Sequence, residues 1–158
     1  MPELEEWLQG ATRVAILGVG SRVKRDDAVG LVVVDHLKGK VPSFVRVFDC
    51  ETVPESFTGP IRRFSPSHVL IIDAAEMASN IGEIRFLYPD SIAESVFSTH
   101  ILSLSVLSEY IVSEIGAKVL LLGIQPGDLR FGMELTPELH EVAVKLSHEI
   151  LSALLKVG

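Results

Sequence analysis

The chain has 158 residues, of which 47% are hydrophobic and 22% charged, and it carries a net charge of −7. That length suits one domain spanning residues 1–158 with one core, the composition excludes a disordered chain, and the acidic balance disfavours a phosphate-backbone binder, which depends on clustered Lys and Arg. With Cys50 as the only cysteine, neither an internal disulfide nor a thiolate zinc cage can form.

No aliphatic stretch approaches the ~18 residues of a membrane span. The opening residues 1–9 are acidic and lack the basic flank and apolar stretch of a secretory signal, so a cytoplasmic protein is expected.

In chain order, residues 14–20 form a short apolar run ending in glycines, the pattern of a strand buried on both faces of a sheet. Asp27 then opens a stretch with Val29, Val32, Val33 and Leu37 at helical spacing. Residues 45–49 read as a second strand, 56–64 as a helix and 68–74 as a third strand. Residues 82–88 alternate polar and apolar side chains, as a half-exposed antiparallel edge strand would, and a short helix is expected from Asp90.

Residues 100–114 read as a helix with Leu104, Leu107, Tyr110 and Ile111 turned inward, and residues 118–124 as another buried strand. The last helix has the clearest start: Thr136 can N-cap it, Pro137 suits its first turn, and Leu139, Val142, Ala143, Leu146, Ile150 and Leu154 share one face. Alternating strands and helices predict a mostly parallel sheet between helical layers, a three-layer α/β/α sandwich.

In such a sheet, ligands bind beyond the carboxyl ends of the strands, where strand order reverses. Asp26 and Asp27 follow the first strand, Asp49 and Glu51 end the second, and Asp73 and Glu76 end the third. A strand order beginning 2-1-3 would bring Asp27 and Asp73 together. Two such carboxylates repel unless a proton or a cation lies between them, and His100, after Ser98 and Thr99, would complete a site for nickel, zinc, iron or manganese. The plain alternatives are that Asp26 or Asp27 caps a helix, that Asp73 is a turn residue, and that His100 is an ordinary polar residue.

Other motifs are weaker. The Gly18-Val-Gly20 turn lacks the third glycine of a dinucleotide fingerprint, because position 23 is valine. There is no phosphate loop, no Gly-x-Ser-x-Gly elbow and no His-Glu-x-x-His helix. Cys50 is expected to be a buried structural thiol, and His36, His68, His140 and His148 to be ordinary residues of their elements. Arg22, Lys24 and Arg25 fit either a solvated loop or a grip on an acidic peptide terminus.

Six segments together carry a family resemblance that runs nearly end to end. They are Leu17-Gly-Val-Gly-Ser-Arg-Val-Lys-Arg-Asp-Asp-Ala-Val-Gly30, Leu70-Ile-Ile-Asp-Ala74, Gly82-Glu-Ile-Arg85, Ser98-Thr-His-Ile-Leu-Ser-Leu104, Leu122-Gly-Ile-Gln-Pro126 and Phe131-Gly-Met-Glu-Leu-Thr-Pro137. With them the chain resembles the hydrogenase maturation proteases, and most of all the hydrogenase-3 type. The resemblance implies a five-stranded twisted sheet, a monomer, and nickel contact by Asp27, Asp73 and His100, which also act as the catalytic residues of an aspartyl-type protease.

It further implies that the partner is a nickel–iron hydrogenase large-subunit precursor, whose C-terminal extension is removed once nickel, brought by the precursor itself, is in place. Gly18 and Gly20 would let a peptide approach, with Gln125 and Pro126 lining the groove. The chain departs from the family pattern at Ser21, often Asn, and at Ala28, commonly Gly. Two other readings use the same residues: a nickel-binding maturation module without peptidase activity, and a hydrolase holding its own zinc.

Overall fold

The computed structural model describes residues 1–92 and 101–157. Its elements are α1 (Pro2–Trp7), β1 (Val14–Val19), α2 (Val29–Leu37), β2 (Val45–Glu51), α3 (Thr58–Phe64), β3 (His68–Ala74), β4 (Ile84–Leu87), α4 (Ile101–Tyr110), β5 (Lys118–Ile124) and α5 (Pro137–Leu155).

The strands form one five-stranded sheet in the order β2-β1-β3-β5-β4. β2, β1, β3 and β5 run parallel, and β4 closes the far edge antiparallel to β5. The expected 2-1-3 start and the antiparallel edge are therefore both present. β1, β3 and β5 carry unbroken or nearly unbroken buried runs, because helices cover both of their faces. β4 alternates because it lies at the edge.

Alternation along the strands divides the core into two layers. Val14, Ile16, Leu70, Ile72, Leu120 and Leu122 pack with α1, α2 and α5 through Leu4, Val33, Leu139 and Leu146. Ala15, Leu17, Val69, Ile71, Val119 and Leu121 pack with α3 and α4 through Ile61, Phe64, Leu104 and Leu107. The sandwich is thus α1/α2/α5 on one face and α3/α4 on the other. Among the described residues no helix is long and apolar enough to cross a membrane.

Several boundaries differ from expectation. α1 carries no helical stripe long enough to read, yet Leu4 and Leu8 anchor it in the core. The stretch from Asp27 does not open as an α-helix: Arg25–Ala28 is a 3-10 turn, and α2 begins at Val29. The helix over 56–64 is likewise a 3-10 turn at Pro54–Phe57 followed by α3, because Pro60 has no N–H to bond back to Ser56 and continue one ladder. The expected helix from Asp90 is one 3-10 turn at Pro89–Ser91. α4 gives way to a π turn at Ile111–Ile115, which ends on left-handed Gly116. α5 starts at Pro137 as predicted, but Thr136 does not cap it with its side chain.

Candidate active site

Two glycines set how closely α2 approaches the sheet. A Cβ on Gly18, in β1, would lie 2.6 Å from a Val34 methyl and 2.9 Å from the Gly30 oxygen. A Cβ on Gly30 would lie 2.1 Å from the Ile72 oxygen. Only glycine at both positions lets the first turn of α2 rest on β1 and β3. The turn that precedes it, Arg25–Ala28, packs in turn on β3.

The loop from Gly20 to Asp27 is closed on itself. Gly20 has a φ of +150°, and a Cβ there would stand 2.0 Å from the Asp27 carbonyl oxygen. The Ser21 amide donates to Asp27 Oδ2 at 2.9 Å. These glycines are therefore spent on internal close approach, not on admitting a peptide backbone as the sequence suggested. The Ser21 departure from the family pattern leaves this bond intact, since a backbone amide makes it. Ala28 sits in the turn with φ −83° and ψ 1°, a conformation open to any residue.

Neighbouring Asp26 and Asp27 have separate tasks. Asp26 is fully buried and accepts from the amides of Gly127 and Asp128 at 2.9 Å, from the Thr136 amide at 2.8 Å and from the Thr136 hydroxyl at 2.9 Å. That is why Thr136 does not cap α5: its hydroxyl is committed to Asp26. Backbone bonds extend the same junction, from the Asp26 amide to the Asp128 oxygen, from the Arg25 amide to the Gly132 oxygen, and from the Gly132 amide to the Val23 oxygen, each 3.0 Å. Asp27 caps no helix and keeps 7% exposure.

Asp73 is the penultimate residue of β3 and is fully buried. It alternates with Ile72 and Ala74, which face α2 and α5, so its side chain lies on the α3/α4 face. β1 and β3 are hydrogen-bonded neighbours with Gly18 opposite Ile72, so Asp73 and the Asp27 turn share one end of the sheet. His100 lies outside the described residues, immediately before α4. Among the described residues, no group of three or more His, Cys, Asp or Glu side chains is placed to hold a metal ion.

Asp49 and Glu76, at the same rim, already have partners. Arg22 pairs with Asp35 at 2.9 Å and with Asp49 at 2.5 Å, and the two carboxylates raise its pKa. Arg25 reaches Asp128 at 3.4 Å. These two cations thus brace the loop instead of standing ready for a peptide carboxylate. Glu76 accepts from the Ala78 amide and from Gln125 Nε2, and those bonds lower its pKa.

Gln125 is buried, and its Oε1 accepts from the amides of Met77 and Ser79 at 2.8 and 3.3 Å. It fastens the loop after β3 to the end of β5 instead of lining an open groove. The junction that Asp26 makes with residues 127–136 was not read from the sequence. The only signal for it was the pair of adjacent aspartates, one of which had to be redundant at a single ligand position.

The remaining histidines lie on the elements expected for them, and the cysteine is buried. His36, His140 and His148 lie on helices, and His68 opens β3 in the interior. Cys50 is buried, and desolvation, helped by Asp49 and Glu55, pushes its thiol pKa up to about 12.

Comparison with known proteins places this geometry. Residues 31–153 match a family model described as hydrogenase maturation protease. The hydrogenase 3 maturation protease of Escherichia coli strain K12 is 34% identical over 122 residues, covering 77% of this chain and 78% of that protein. The crystal structure of the NiFe hydrogenase maturation protease HycI from Thermococcus kodakarensis KOD1 superposes with a TM-score of 0.90 at 34% identity, covering 98% of this chain and 99% of that one. The solution structure of the endopeptidase HycI from Escherichia coli gives 0.77 at 28% identity over 89% and 90% of the two chains. With a family model over residues 31–153, a relative at 34% identity and a matching overall fold, the chain belongs to the hydrogenase maturation proteases, enzymes that hydrolyse peptide bonds.

Proposed function

We propose that this enzyme removes the C-terminal extension of a nickel–iron hydrogenase large-subunit precursor, of the hydrogenase-3 type, and does so only when the precursor carries nickel. In this reading Asp27, Asp73 and His100 contact nickel that arrives with the precursor, and the protein works as a cytoplasmic monomer. The observation that carries it is the division between Asp26 and Asp27. Asp26 is saturated by four donors from residues 127–136, which leaves Asp27 as the acid for chemistry at the shared sheet end with Asp73.

Two carboxylates at one end of a sheet repel unless a proton or a cation lies between them, and nickel of the precursor is the cation in this reading. Oxygen donors and an imidazole form an incomplete set, and thiolate-bound nickel in the precursor supplies the missing charge and ligands. Asp73 faces the layer that includes α4, whose first residue follows His100 directly, and this supports grouping the three. Docked there, the nickel polarises the scissile carbonyl or the attacking water, and one of the two aspartates takes the proton.

The test is purified enzyme with nickel-loaded and nickel-free precursor, followed by mass spectrometry of the large subunit. Trimming of the loaded form alone is expected, and it should disappear in Asp27→Ala, Asp73→Ala and His100→Ala. Equal trimming of both forms would overturn the nickel dependence.

A further inference from the structure

Five of the ten large apolar side chains that stand exposed among the described residues gather beside the Asp27 turn: Val23 at 48%, Ile81 at 53%, Leu129 at 44%, Phe131 at 86% and Met133 at 76%. Scattered exposed apolar residues are ordinary, whereas several carried on loops that are bonded to one another point to an interaction surface.

The group is held by its backbone. Gly132 accepts from the Arg25 amide and donates to the Val23 oxygen, and a Cβ on it would lie 2.8 Å from Arg25 Cγ. Gly132 is thus pressed against the turn, while Phe131 and Met133 on either side of it stand in solvent. The Asp26 carboxylate fixes Gly127, Asp128 and Thr136 around them, and Ile81 packs at Gly127. The exposure is therefore imposed by a fixed scaffold and is not that of a frayed loop.

We infer that Val23, Leu129, Phe131 and Met133 form the docking strip for an apolar segment of the precursor polypeptide next to its cleavage point. This rests on the proposed function, because it places that same substrate. The argument is continuity: the strip is hydrogen-bonded to the very loop that presents Asp27, so a chain held at Asp27 must run across or beside it. Buried acids and a histidine supply chemistry but little apolar contact, whereas an aromatic and a methionine are adaptable anchors for a protein surface. Arg130, whose side chain is 85% exposed, supplies the polar rim such contacts have.

The experiment compares wild-type enzyme with the Phe131→Ser/Met133→Ser double variant in trimming nickel-loaded precursor. Leu155→Ser, an exposed apolar residue at the far end of α5 and roughly 28 Å along the helix from Thr136, is the control. Unchanged melting temperature establishes that the variants fold. The double variant is expected to raise KM at least about tenfold, with a smaller change in kcat, while the control leaves KM as it is.

An unchanged KM, or a fall in kcat alone, would overturn the docking strip. So would a wild-type protein that sediments as a dimer and a double variant that sediments as a monomer, since the strip would then belong to a second copy. If wild-type enzyme does not trim the precursor, the functional reading has failed. The Kd of the precursor for the same two proteins then judges the strip alone, with equal values overturning it.

Discussion

The backbone of Gly30 rests on the carbonyl oxygen of Ile72, so close that a Cβ would stand 2.1 Å away. This contact joins the start of α2 to the end of β3, and through it Asp27, three residues earlier, to Asp73, one residue later. Gly30→Ala must therefore push α2 away from the sheet. Over-packing of this kind costs about 1–3 kcal/mol. The expected outcome is a lower melting temperature together with loss of trimming in protein that remains folded. Wild-type values for both would show that the contact is not what positions Asp27.

Asp26 and Asp27 should separate by stability and activity. Asp26→Asn puts an amide group among three backbone donors and a hydroxyl in a fully buried site. Losing charge-assisted bonds there costs about 2–3 kcal/mol, which in a domain of this size lowers the melting temperature by about 5–10 °C. Asp27→Asn keeps an oxygen for the Ser21 amide and should melt near wild type, yet fail to trim. Thermal melts and the trimming assay on both variants check this, and the reverse pattern would exchange the two roles.

How much of this was legible in sequence follows from which physical signals are local. The buried runs of β1, β3 and β5 and the stripe of α5 are periodic, so the sheet, its antiparallel edge and the two helical layers could be read directly. That Asp27 and Asp73 lie at the same end of the sheet followed from the 2-1-3 strand order. What could not be read is whatever depends on a partner far along the chain. Asp26 bonds to residues about a hundred positions away, and Gln125 serves a loop that begins at Met77. Gly18 and Gly20 looked like an open turn because no sequence pattern distinguishes a glycine facing a ligand from one facing a helix.

Cys50 is a sensitive check on the core beside the site. It is 1% exposed, and with its thiol pushed up to about 12 almost none is thiolate at pH 8. An aromatic disulfide reagent should leave the native protein unmodified and titrate one thiol per chain after denaturation. Cys50→Ala should trim at the wild-type rate. Rapid labelling of native protein, or loss of trimming in the alanine variant, would give this thiol a role in the reaction.

His68 should make stability fall on the acid side. It is 3% exposed at the start of β3, with Nδ1 2.9 Å from the Ser67 hydroxyl and Trp7 packed edge-on at 4.9 Å. Burial, reinforced by Lys118, lowers its pKa below the ordinary 6.5. The folded chain therefore refuses a proton that the unfolded chain accepts. The stability this ring contributes is complete above about pH 6.5 and is lost as pH falls from there toward the lower folded value. His68→Phe keeps an aromatic ring against Trp7 but cannot titrate. Denaturant unfolding between pH 7.5 and about 5 should show a shallower loss of stability in the variant than in wild type. Equal slopes would mean that His68 is protonated in the folded protein after all, and that other groups set its acid limit.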